Sequence, residues 1–339
     1  MRKILIIEPN WLGDVLFTTP AIRAIKQHSP HASVTVLVHK RCADILKNNP
    51  FIDNIILLEK DRGLKGFIYK LNLIKQLKGF DFNTVFLFSR SMSHALMCKL
   101  ALIPEIIGYS NFKRFFLLTH KLKEKYKIRH RVEYFLDLAR FIGIDTENKN
   151  YEFPISGADE ESAQSLLLEC GISAHSEYFV VNPGGNWMPK RWPKEGFAKL
   201  CDELFSKYSL KIVITGAEKD IALGENIKNL CKTAKPVNLC GKTTIFELAA
   251  VLKNAKAVIA NDSGPMHIAI SQKTPTAALF GPTNPAITGP YGDSKYIVVE
   301  KEIDCPVPCY NKNCRNNRCM EAVTTADVME AVASVIASE

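Results

Sequence analysis

Short apolar runs alternate with longer amphipathic stretches from one end of the chain to the other. In the first half the runs are KILIIE (3–8), SVTVLVH (33–39), NIILLE (54–59) and NTVFLFS (83–89). The first leads into a helical pattern reaching about Gln27, the others into helical or loop segments. The second half repeats the habit with YFVVNP (178–183), KIVITG (211–216), PVNLCG (236–241), AKAVIA (255–260) and TAALFG (276–281). Between these, helices are predicted over 194–208, 218–232, 244–254 and 265–271, with a final one over Thr325 to Ser338. Runs that are apolar on both faces, and joined by helices rather than hairpins, mark buried parallel strands. The expected class is therefore α/β, with two Rossmann-like, doubly wound domains facing each other across a cleft. The polar stretch Asp145 to Glu160, which carries Pro154 and Gly157, reads as the linker and gives domains 1–155 and 156–339.

Composition adds a compartment and a charge. The chain has 339 residues, 47% of them hydrophobic, which suits two domains better than one. No apolar stretch approaches the roughly 18 residues of a membrane span, and ILII near the N-terminus, followed by Glu8 and Asp14, is too short for a signal peptide. A cytoplasmic protein, able to touch a membrane from that side, is expected. The net charge of +9 is uneven: Lys113 to Arg131 holds eight Lys or Arg against one Glu, interleaved with Phe112, Phe115, Phe116 and Tyr126. Such a stretch is either a solvated face or a patch for nucleic acid, anionic lipid or a phosphorylated substrate. Six of the ten cysteines are scattered through apolar segments and read as buried thiols. The other four, Cys305, Cys309, Cys314 and Cys319, lie close together in a segment rich in Asn, Pro and Arg; their spacing departs from C-x2-C metal pairs and leaves a thiol-rich loop or a metal site open.

The candidate chemistry sits where strands end. After AKAVIA comes Asn261-Asp262-Ser263-Gly264, in position to cap a helix near Pro265 or to present its start to an anion. After TAALF comes Gly281-Pro282-Thr283. Two such turns flanking one short helix, at the carboxyl ends of parallel strands, point to a phosphorylated ligand. Pro183-Gly184-Gly185, followed by Lys190 and Arg191, adds room for close backbone approach and positive charge. Trp187 and Trp192 in this loop suit packing better than stacking on a ring. Glu218 and Asp220 suit either a helix cap or ribose hydroxyls, and His267 either a ligand contact or a structural role. Gly13-Asp14 ends the first strand unit. Asp14 suits an N-cap or a base that takes a proton from an acceptor hydroxyl, and Pro20 is expected to kink the helix that follows or to open a fresh first turn. Neither G-x-G-x-x-G after a strand nor G-x-x-x-x-G-K-[ST] is present, which argues against a dinucleotide oxidoreductase and a P-loop ATPase.

Taken together, Gly13-Asp14, PGG with KRWP, NDSGPMHIA and FGPTNP resemble the lipopolysaccharide heptosyltransferases, glycosyltransferases of the GT-B fold. The cysteine-bearing CPVPCYNKNCRNNRCM further resembles the heptosyltransferase II branch. The resemblance implies inverting transfer of heptose from ADP-L-glycero-D-manno-heptose to the lipopolysaccharide inner core at the cytoplasmic face of the inner membrane. It implies an N-terminal acceptor domain and a C-terminal donor domain, with peripheral membrane contact and no nucleic-acid partner. Asp14 would be the general base and Lys190 would steady the departing ADP. Gly184, Gly185, Asp220, Asp262, Ser263, Gly264, His267, Gly281, Pro282 and Thr283 would form the donor site, and Gly13, Lys121 and Lys125 would meet the acceptor. No metal cofactor would be required. The stretch Asn186 to Pro189 departs from the smaller, glycine-containing pattern common in that branch, which leaves another nucleotide sugar or an epimerase as the first alternative. A non-catalytic basic binding protein is the second.

Overall fold

The computed structural model describes residues 1–59, 63–126, 128–174, 176–309 and 311–337. Lys127, Tyr310 and Ser338, which fall in the basic stretch, the cysteine-bearing segment and the last helix read from the sequence, lie outside those residues. The chain divides into two compact units, Met1–Pro154 and Ile155–Glu339.

In the first unit, β1 (Lys3–Ile7), α1 (Leu12–His28), β2 (Ser33–His39) and β3 (Asn54–Leu58) are followed by α2 (Gly63–Phe80), β4 (Thr84–Leu87) and α3 (Met92–Leu100). Then come β5 (Glu105–Tyr109), β6 (His120–Leu122) and α4 (Arg131–Arg140). In the second unit, α5 (Gly157–Glu169) precedes β7 (Tyr178–Asn182), α6 (Lys194–Tyr208), β8 (Lys211–Ile214), α7 (Ile221–Leu230) and β9 (Val237–Asn238). The chain continues through α8 (Ile245–Lys253), β10 (Ala257–Asn261), α9 (Gly264–Ser271), β11 (Thr276–Leu279), α10 (Pro285–Thr288), β12 (Tyr296–Val299), α11 (Arg318–Glu321) and α12 (Thr325–Ala337).

Each unit holds one six-stranded sheet, ordered β3-β2-β1-β4-β5-β6 and β12-β11-β10-β7-β8-β9. The recorded strand pairs are parallel, so both units are doubly wound and share the order 3-2-1-4-5-6 when each is numbered from its own first strand. The central strands carry no polar side because helices cover both faces: Phe179, Val180 and Val181 of β7 and Val258, Ile259 and Ala260 of β10 are all fully buried. The order reverses between β1 and β4, and again between β7 and β10. At those two points the flanking loops diverge, which leaves a crevice at the carboxyl edge where ligands bind in such sheets.

Three strands escaped the sequence pattern: β5, β6 and β12. Helix α1 is one element with Pro20 inside it, so Pro20 does not open a fresh first turn. Pro20 cannot donate to the Leu16 carbonyl, and the Thr19 hydroxyl does so instead at 2.8 Å.

Candidate functional site

The second unit's site begins with Asn261, the last residue of β10 and completely buried. Its side-chain amide donates to the carbonyls of Pro183 (2.9 Å) and Gly184 (3.3 Å), while its Oδ1 accepts from the Trp192 N–H at 3.1 Å. Asn261 therefore fastens the Pro183–Trp192 loop across the switch point. Trp192 is itself anchored by its indole N–H to the Val323 carbonyl (2.9 Å) and packs edge-on to Phe197. The loop's lysine is then held in place. Lys190 Nζ lies 2.6 Å from Asp262 Oδ2, and the Thr283 hydroxyl donates to the same oxygen at 2.6 Å. The loops after β7, β10 and β11 thus converge on one buried carboxylate, and Lys190 is set over the half-exposed ring of Trp187 at 5.2 Å.

The capping role open to Asn261, Asp262 and Ser263 is not the one these side chains take. Asn261 clamps the loop and Asp262 holds Lys190. Ser263 occupies the N-cap position of α9 without a side-chain cap bond, and its buried Oγ has no hydrogen-bond partner. With no side chain capping α9, the amides of its first turn keep the partial positive charge that favours an anion. Gly264 opens this helix, and His267 within it is buried.

Gly184 and Gly185 follow β7. A Cβ on Gly184 would come within 2.9 Å of Asp220 Oδ2, so the glycine is required by close approach. Asp220 is buried: its Oδ2 accepts from the Ala217 N–H at 3.3 Å, and its Oδ1 lies 3.1 Å from the Arg191 guanidinium but has no hydrogen-bond partner. Arg191 donates twice to the Gly185 carbonyl, at 3.1 and 2.8 Å. Of the two carboxylates weighed for ribose contact, Glu218 is the exposed one.

Sequence reasoning missed how the cysteine-bearing segment supports this site. The Cys309 N–H donates to the Pro282 carbonyl (2.7 Å), and Asn317 donates to the Arg191 carbonyl (3.1 Å). Met320 packs so tightly on Gly281 that a Cβ there would collide with its Sδ. Lys312 reaches the Trp187 ring at 5.3 Å, adding a second cation beside Lys190. All ten cysteines are free thiols, and among the described residues no group of three or more His, Cys, Asp or Glu is arranged to hold a metal.

In the first unit, Asp14 is the third residue of α1, half-buried, and the N-cap is Trp11. Gly13 precedes it in the same first turn. Glu8 follows β1 directly and is only 2% exposed. Burial pushes its carboxyl up to about 8, against a smaller opposing effect of its hydrogen bond to Thr18. The Thr18 hydroxyl is placed to donate both to Glu8 Oε2 (2.8 Å) and to the Val15 carbonyl (2.6 Å). Sequence reasoning took Glu8 only as an interruption of an apolar run.

A cavity of about 290 Å³ opens at the carboxyl ends of β5 and β6. Its lining includes Lys123, Lys125, Arg129, Asp137 and Arg140, with Tyr109 and Tyr134 stacked at 3.9 Å. Lys125 thus faces the cavity, whereas Lys121 lies over the Phe115 ring at 5.7 Å. The basic stretch is not a uniform surface. Arg114 is buried, its guanidinium donating to the carbonyls of Tyr109 (2.7 Å) and Ser89 (2.8 Å), and Arg129 is paired with Asp137 at 2.6 Å.

Two doubly wound units, one carrying a lysine and an uncapped helix start at its switch point, give the architecture of the GT-B fold. The family model for glycosyltransferase family 9 (heptosyltransferase) matches residues 70–320. The chain belongs to that family and is a glycosyltransferase. It is 28% identical over 336 residues to lipooligosaccharide heptosyltransferase 2 of Campylobacter jejuni serotype O:6, covering 97% of this chain and 98% of that one. It is 26% identical over 305 residues to lipopolysaccharide heptosyltransferase 2 of Salmonella typhimurium, covering 87% of each. Among solved structures, a family 9 glycosyl transferase from Veillonella parvula superposes with a TM-score of 0.89 at 24% identity, over 100% of this chain and 98% of that one. The E. coli ADP-heptose heptosyltransferase II does so at 0.81 and 23%, over 99% and 98%.

Proposed function

We propose that this glycosyltransferase moves heptose from ADP-heptose to the inner core of lipopolysaccharide, as the names of its curated relatives describe for them. The observation that carries the reading is the family match over residues 70–320, which contains all three loops that meet at Asp262. The chemistry of that meeting point suits a diphosphate leaving group. Lys190 is fixed by Asp262, itself held by Thr283, before any substrate arrives, so little reorganisation accompanies bond cleavage, and preorganised charge of this kind is usually the largest catalytic contribution. The first-turn amides of α9 face the same charge, and Gly281-Pro282-Thr283 closes its edge. Lysine and helix start together supply the positive charge that a divalent metal supplies elsewhere, so we expect transfer to persist in the presence of a chelator.

Asp14 lies outside the matched residues, and its role rests on its place at the carboxyl edge of β1, on the first turn of α1. We assign it as the base that takes the acceptor hydroxyl proton while that oxygen attacks the anomeric carbon and ADP departs from the opposite face, giving inversion. The acceptor's acidic sugars suit the cavity that holds Lys125. Incubating the protein with ADP-heptose and a heptose-free inner-core acceptor should increase the acceptor mass by one heptose, with UDP- and GDP-sugars inert. Transfer from another nucleotide sugar, with ADP-heptose inert, would replace the donor assignment.

A further inference from the structure

Charge at the second unit's switch point nearly cancels. Lys190 lies 2.6 Å from Asp262 and Arg191 lies 3.1 Å from Asp220, so each cation of the loop after β7 faces a buried carboxylate. The first turn of α9 adds only about half a positive charge. A departing nucleoside diphosphate brings more negative charge than that, and stabilising it calls for a cation that no carboxylate already matches.

The cysteine-bearing segment holds one. Residues 305–320 contain Lys312, Arg315 and Arg318 and no Asp or Glu. Two hydrogen bonds tie this stretch to the site on either side of Lys312: the Cys309 N–H to the Pro282 carbonyl at 2.7 Å, and the Asn317 side chain to the Arg191 carbonyl at 3.1 Å. Between those anchors Asn311 forms a turn, its Oδ1 accepting from the Asn313 N–H at 3.1 Å and its carbonyl from the Cys314 N–H at 3.4 Å. The turn presents Lys312. Its Nζ lies 5.3 Å from the centre of the Trp187 ring, and Lys190 Nζ lies 5.2 Å from the same centre. Lys312 is exposed, and the ion pairs recorded among the described residues do not include it, whereas Arg318 is directed at the Cys305 sulfur at 3.7 Å. The indole attracts each ammonium, and the repulsion between the two is relieved by an anion that meets both. We propose that Lys312 is a second cation for the donor's diphosphate, meeting the phosphates alongside Lys190 and the start of α9 and stabilising their charge as the sugar leaves.

The role of Lys312 rests on reading this site as one for an ADP-sugar, and the two fail separately. ADP and UDP are titrated calorimetrically into the full-length protein and its Lys312→Arg, Lys312→Ala and Lys312→Glu variants at low and ~1 M salt. ADP should bind the wild-type protein and the Arg variant alike, the Ala variant about tenfold more weakly and the Glu variant more weakly still. Those losses should shrink at high salt, with an unchanged melting temperature in every variant. The same graded losses for UDP, with ADP inert, would keep the role of Lys312 and replace the donor. Equal ADP affinity in all four proteins, or losses that follow a falling melting temperature, would overturn the role of Lys312 and leave the donor in place. Binding of neither nucleotide would overturn both.

Discussion

Two buried carboxyl groups carry opposite charge logic. Asp262 is met by the Lys190 ammonium and the Thr283 hydroxyl, whereas Glu8 has no cation beside it among its recorded partners and burial raises its carboxyl to about 8. Glu8 therefore leaves a signature in stability. Its folded value of about 8 lies above the ordinary value of 4.5, so the folded state holds a proton the unfolded chain has released between those limits. Its contribution is fully present below pH 4.5, shrinks as pH rises, and is gone above about pH 8. Glu8→Gln keeps an acceptor for the Thr18 hydroxyl and removes the titration. Calorimetric melts should show the wild-type protein losing more stability than the variant between pH 5 and 8; parallel curves would mean that Glu8 is ionised. At Lys190 the expectation is kinetic. Lys190→Ala should lower kcat by about 10²–10³, the scale of losing one preorganised donor to developing charge. It should also cost about 3–5 kcal/mol of stability, because Asp262 is left buried without its cation. Rate assays alongside urea melts separate the two.

At the scale of elements, the site depends on loops held by residues that never meet substrate. Asn261 makes three hydrogen bonds from one fully buried side chain, two to the Pro183–Gly184 carbonyls and one from Trp192. Asn261→Ala should destabilise the protein by roughly 1–3 kcal/mol for each buried partner left unsatisfied, and weaken ADP binding although Asn261 is assigned no contact with it. Calorimetric titration with ADP checks this; unchanged affinity would show that the loop holds itself. Which elements the sequence reveals follows from burial. Strands β7 and β10 announce themselves because both faces are covered, and α6 matches its expected bounds because its apolar face is continuous. Strand β6 is only His120–Leu122 inside a cationic run, and β5 opens on Glu105, whose carboxylate is taken up by Thr84 and Arg2, so neither stands out as an apolar run. Strand β12 is the short apolar run YIVV, and its pattern is legible although no strand is read there. At the site the limit is of another kind. Each turn is legible as a turn, but the meeting of Lys190, Asp262 and Thr283 depends on strand order, and the bracing by Asn317 and Met320 on where a distant segment returns.

At the scale of the molecule, two units with one strand order carry different switch points. In the second, close-approach glycines, a fixed lysine and an uncapped helix start meet at the switch point. In the first, a half-buried aspartate lies on the opening turn of α1, and a cavity lined by Lys125 and stacked tyrosines opens farther along the same sheet edge. This division of labour, with donor chemistry in one unit and the base in the other, is the account's central claim. The most direct test is acceptor-dependent release of ADP from ADP-heptose by the wild-type protein and by Asp14→Asn, with donor affinity measured on both. The account predicts unchanged donor affinity and turnover lowered by about 10²–10⁴ in the variant. Turnover that survives the substitution would contradict it and place the base elsewhere.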